Sequence, residues 1–141
     1  MLRPQYAVAS CAALLAFALA GCSGSDSGNS NALTDADATP QSILDAWKAA
    51  VCDGGTYKQP ELQNLEGDEV GGAVCFLSGV GTTENRHQIS VWSSESAVEV
   101  HMAGRDCANY LYVMGPTWTS GVTTEAVATD LVEAGGQLCE G

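Results

Sequence analysis

Positive charge is what this 141-residue chain has least of: five Lys and Arg stand against 17 Asp and Glu, a formal net charge of −12 at pH 7. That balance excludes a nucleic-acid partner, which needs basic patches to neutralise phosphates. It also keeps the surface off an anionic membrane by like-charge repulsion. Histidine is nearly absent, with two residues, and aromatic residues make up only 6% of the chain. No G-x-S-x-G or H-E-x-x-H pattern occurs, so neither a nucleophile elbow nor a zincin helix is supported. Gly79-Val80-Gly81-Thr82-Thr83 comes nearest to a phosphate loop, but no Lys follows and no helical pattern opens there, so it reads as a hairpin loop. C-x-x-C pairs are missing, which removes the zinc ribbon and the thioredoxin-type site. No metal or cofactor is expected from these patterns.

What is present begins at the N-terminus. Arg3 supplies a positive start, and no charged residue occurs from Ala7 to Leu19. This apolar run falls short of the roughly 20 residues of a membrane span but suits a signal-peptide core. It ends in Leu19-Ala20-Gly21-Cys22. These four residues resemble the lipobox of bacterial lipoproteins. The resemblance implies a diacylglyceryl group on the Cys22 thiol and cleavage between Gly21 and Cys22 by signal peptidase II. Residues 1–21 are then a signal peptide, and the mature protein is lipid-anchored on the extracytoplasmic face of the cell membrane. Two or more acyl chains, at about 0.8 kcal/mol per buried CH₂, make such an anchor stable without any other membrane-binding surface. Cys11 lies inside the removed segment as one apolar residue among others.

Four cysteines remain: Cys52, Cys75, Cys107 and Cys139. An even count outside the cytoplasm predicts two disulfides. Three pairings are possible. Cys52–Cys75 with Cys107–Cys139 is preferred because it closes the shorter loops. Residues 22–39 carry the lipidated Cys and a Ser, Gly, Asn, Asp and Ala-rich stretch in which Leu33 is the one large apolar residue. That composition predicts a flexible linker. Residues 40–141 are expected to form a single α+β domain.

Within that domain, Thr39 is an N-cap, Pro40 a first helical residue, and Ile43, Leu44, Trp47 and Val51 fall at helical spacing. They predict a helix over 40–51, stopped by Gly54-Gly55. Residues 53–72 read as irregular, with Glu66-Gly67-Asp68-Glu69 a solvated turn. Strands are predicted over 73–77 and 88–92, joined by a long loop. Residues 94–104 fit a helix or a strand, with a Ser cap and Gly104 favouring helix. Strands over 110–114 and 118–122 flank a Gly115-Pro116 turn, and a helix over 124–134 stops at Gly135-Gly136. The order is an N-terminal helix followed by two strand–strand–helix units, as in a duplication. It predicts an antiparallel sheet covered by helices on one face. Tyr112-Val113-Met114-Gly115-Pro116-Thr117-Trp118, with the last helix and its Gly135-Gly136 stop, is similar to small lipoproteins of actinobacteria. That resemblance implies no activity and no site residues.

His87, beside the long loop, and His101, in the ambiguous segment, read as ordinary surface histidines. The cysteines, once oxidised, offer no thiolate. The chain therefore reads as a tethered binding or interaction module, its partners the membrane through its lipid and an unknown protein or envelope component. Two alternatives stand beside it. One is a small cell-envelope hydrolase using carboxylates with His87 or His101. The other is a carrier of an apolar ligand, with Trp47, Trp92, Trp118, Tyr110 and Tyr112 as its lining.

Overall fold

The computed structural model describes residues 30–61, 65–77 and 85–141. The signal segment, the lipobox with Gly21 and Cys22, the first part of the linker and the glycine-containing loop at 79–83 lie outside the described residues.

The described chain is α+β. A 3₁₀ turn (Ser30–Leu33) precedes α1 (Pro40–Val51), β1 (Thr56–Lys58), β2 (Glu69–Phe76), β3 (Arg86–Trp92), α2 (Glu95–Met102), β4 (Leu111–Met114), β5 (Trp118–Val122), α3 (Glu125–Glu133) and β6 (Gln137–Leu138). The six strands form one sheet in the order β1-β2-β3-β5-β4-β6, and every pairing is antiparallel. The edge strands are the shortest, with three residues in β1 and two in β6. Short edges offer little template for unwanted pairing.

One face of the sheet makes the core. His87, Ile89 and Val91 of β3 alternate inward, as do Trp118, Ser120 and Val122 of β5. α1 lays Ile43, Leu44, Trp47 and Val51 on this face, and α3 adds Val127, Ala128 and Leu131. The predicted cap of α1 is in place, with Ser42 N–H donating to Thr39 Oγ1 and Pro40 in the first turn. The α1 register is closed by the indole N–H of Trp47, which donates to Ser120 Oγ at 2.9 Å. Gly135, at φ 106°, supplies the left-handed residue that ends α3.

The second face carries α2. Glu95–Met102 is helical, capped by Ser94 Oγ accepting from Ala97 N–H. Its buried residues Ala97 and Val98 stay outside the main core cluster. The expectation of helices on one face therefore holds for α1 and α3 and fails for α2. Pleat phase gives the reason. Both helices open with the same signal, Ser93-Ser94-Glu95 and Thr123-Thr124-Glu125. The strand residue two positions before the capping Ser94 is Trp92, on the second face, whereas the one before Thr124 is Val122, in the core. A one-residue change of phase carries the next helix to the other side of the sheet. The two halves share a local grammar but not a symmetry.

Three further expectations are corrected. Residues 53–72 are not all irregular, because β1 and the first half of β2 fall there. The glycines at 71 and 72 hid that strand from a reading based on side-chain propensity. Order reaches back into the linker: Leu33 is fully buried and Ala32 nearly so. The Trp118 indole N–H, deep in the core, needs an acceptor, and Leu33 O provides it at 2.8 Å. Gly115 permits that approach, since any side chain there would collide with the Trp118 ring. Finally, His87 is not on the surface but fully buried on the core face.

Both disulfides take the preferred pairing, Cys52–Cys75 and Cys107–Cys139. The first ties the end of α1 to β2 inside the core, and the second ties the segment after α2 to the C-terminus. Among the described residues no helix is long and apolar enough to cross a membrane.

Candidate functional site

A cleft of about 620 Å³ opens on the second face, between α2 and the turn leading into β2. Register explains the hollow. Gly72 of β2 lies beside Ser90 of β3, which lies beside Thr119 of β5. In the adjacent row Gln88 of β3 lies beside Gly121 of β5, which lies beside Tyr112 of β4. Ser90 and Gly121 on the outward side of β3 and β5 leave the floor low, and larger side chains stand round it.

Trp92 forms one wall. Its indole N–H donates to Thr119 Oγ1 at 3.0 Å, and its ring meets the His101 ring with centroids 4.3 Å apart. His101 stands in the last turn of α2 and Arg105 in the turn that follows it, where the guanidinium donates to His101 Nδ1 at 3.3 Å. A guanidinium has no acceptor, so Nδ1 is the acceptor and the ring proton sits on Nε2. Burial, and then the Arg105 charge, lower the His101 pKa, so the ring is neutral at pH 7. The Arg105 guanidinium carbon also lies 5.9 Å from the Tyr112 ring centre, which places the charge over β4.

The opposite lip is the turn of Glu66, Gly67, Asp68 and Glu69. Gly67 takes φ 61°, Glu69 N–H donates to Glu66 O, and Ser93 N–H donates to Asp68 O, so this turn is fastened to the end of β3. Glu69 is half-buried and folds its carboxylate over Gly72, where an added Cβ would lie 3.2 Å from Oε1. Among the described residues that carboxylate has no hydrogen-bond or ion-pair partner, and Arg105 has no carboxylate partner. Two opposite charges thus share one cleft without touching. No group of three His, Cys, Asp or Glu among the described residues is placed to hold a metal ion.

The residues singled out from sequence scatter. Trp92, Tyr112 and His101 line the cleft. Trp47 and Trp118 are fully buried in the core, and Tyr110 is 63% exposed away from the cleft. Glu99 and His101, two apart on a helix, do not share a face. His87 lies under the sheet: Thr123 N–H donates to its Nδ1 at 3.3 Å, while Nε2 finds no partner among the described residues. Burial lowers its pKa. Sequence reasoning missed Arg105 and Gly121, and read the turn that carries Glu69 as merely solvated. The polar alternation of Gln88, Ser90 and Trp92 was visible, but which strands lay alongside was not.

No protein-family model, no curated protein and no solved structure matches this chain.

Proposed function

We propose that this protein is a lipoprotein of the extracytoplasmic membrane face, anchored through Cys22, whose domain binds a small ligand in the cleft between α2 and the sheet. Four features support the anchor: the Arg3 start, the short apolar run, Leu19-Ala20-Gly21-Cys22, and two disulfides of the kind an oxidising compartment sustains. One observation carries the binding role. The cleft is large enough for a small molecule, floored by Ser90 and Gly121, and lined by charges that have not found each other.

This favours binding over the two alternatives. His87 is buried away from any opening, and no hydroxyl is hydrogen-bonded to His101 among the described residues. A hydrolase therefore has no assembled base and nucleophile here. A polar floor with unpaired charges suits a polar ligand better than an apolar one.

Both halves are testable. Cys22→Ala should release the protein from the membrane fraction and abolish lipid labelling; a membrane-retained, labelled variant would refute the anchor. For the cleft, Gly121→Leu fills the floor at a site where an added Cβ meets only ordinary contacts, 3.5 Å from Tyr112 and 3.7 Å from Gln88. Ligands recovered from envelope extract by the wild type should be lost from this variant while its melting temperature holds. Equal recovery by both proteins would refute the cleft.

A further inference from the structure

The unpaired charges also set a length. Glu69 Oε1 hangs over Gly72 of β2, and the Arg105 guanidinium lies over Tyr112 of β4. In the order β2-β3-β5-β4 these strands are three steps apart. At about 4.8 Å per step the two charges are separated by roughly 10–14 Å, allowing for side chains that lean inward. No flexing of one side chain closes such a gap. A ligand that satisfies both ends must carry a cation and an anion at that distance.

We infer that the cleft takes a short zwitterionic peptide of three or four residues, its α-ammonium at Glu69 and its terminal carboxylate at Arg105. This rests on the cleft being the binding site. At about 3.3 Å per extended residue, three to four residues reach 10–13 Å. The carboxylate end meets the guanidinium fork, with the Nε2–H of His101, in the last turn of α2, as a neighbouring donor. The ammonium end meets Glu69, with Asp68 and Glu66 on the same lip. Between the ends, the hydroxyl and amide groups of Ser90 and Gln88 face the backbone, and the Trp92 ring with Val100 forms an apolar wall for one side chain. The Glu69 end prefers a cation and the Arg105 end an anion, so the ligand has one orientation.

The test uses the full chain in detergent and three probes: trialanine, its N-acetyl form and its C-terminal amide. Trp92 is the tryptophan at the cleft, since Trp47 and Trp118 are fully buried, so its fluorescence reports occupancy alongside calorimetry. Free trialanine should bind at least tenfold more tightly than either blocked form. Arg105→Gln should erase the difference between the free and amidated peptides, and Glu69→Gln that between the free and acetylated ones. Gly121→Leu should abolish binding of the free peptide. Equal affinity for all three probes, or no binding of trialanine, overturns the zwitterion inference. If a neutral probe such as maltotriose then binds the wild type and not Gly121→Leu, the cleft survives and its ligand class changes. If Gly121→Leu binds trialanine unchanged, the cleft reading itself falls.

Discussion

Replacing Ser120 by alanine tests how the two halves of the core are locked. Ser120 is fully buried on β5. Its Oγ accepts from the Trp47 indole at 2.9 Å and donates to Gln88 O at 2.8 Å, joining α1, β5 and β3 through one hydroxyl. Alanine keeps the strand and nearly the volume, but leaves the Trp47 N–H in a dry core with no acceptor. An unsatisfied buried donor costs about 1–3 kcal/mol, and the lost bond to Gln88 O adds about 1 kcal/mol. Ser120→Ala should therefore destabilise by roughly 2–4 kcal/mol, a fall in melting temperature on the order of 10 °C or more for a domain of this size. Urea unfolding followed by far-UV circular dichroism measures it. The control is Trp47→Phe, which removes the donor. In that background Ser120→Ala should cost only about 1 kcal/mol, because no N–H is left stranded. Equal costs in the two backgrounds, or a wild-type cost below about 0.5 kcal/mol, would refute the reasoning.

Three further outcomes are expected. His87 is buried and neutral, with its folded pKa below the unfolded value of about 6.5, so below that pH the unfolded chain takes a proton that the native chain refuses. Stability should fall as pH drops through 6.5 toward the folded value, with His87 contributing at most about 1.4 kcal/mol per pH unit and His101, whose pKa is also lowered, adding to the same slope; His87→Gln should reduce the slope, and an unchanged slope would count against it. Cys52 and Cys75 are buried whereas Cys107 and Cys139 are part-exposed, so mild reductant with alkylation and mass analysis should label the second pair first in the folded protein. Each bridge contributes about 3–4 kcal/mol by the chain-entropy argument, so loss of the Cys107–Cys139 bridge should lower the melting temperature; first labelling at Cys52 and Cys75 would contradict the burial. Leu33→Ala should cost about 2–5 kcal/mol, the penalty for a cavity in a packed core, whereas a residue in a free tether would cost nothing measurable.

Local signals in this chain were strong wherever backbone chemistry and periodicity agreed. Thr39-Pro40 with the Ile43, Leu44, Trp47 and Val51 spacing identifies α1, and Thr124 with Gly135-Gly136 brackets α3. Loop length alone favoured the disulfide pairing that the fold adopts. Those readings succeed because capping, helical spacing and loop closure depend on neighbours in sequence. The α2 segment carries both periods, so the sequence left it open between helix and strand; in the structure it is a helix capped by Ser94.

The site needed the third dimension. Glu69 and Arg105 are 36 positions apart in sequence and face each other only because β3 and β5 pair at the sheet centre. Ser90 and Gly121 make a floor only because β3 and β5 pair in a register that puts both on the same side of the sheet. Leu33 counts as core only once the Trp118 indole, 85 residues away, reaches its carbonyl. Residue type and short spacing were enough for α1, α3, the strands at β3, β4 and β5, the acidic balance, the cysteine framework and the lipobox-like segment, but not for β1, the start of β2 or β6. Strand order, the side of the sheet each helix covers and the convergence of the cleft were decided by tertiary structure, because they depend on pairing register and pleat phase, where a single residue's shift exchanges the core face for the open one.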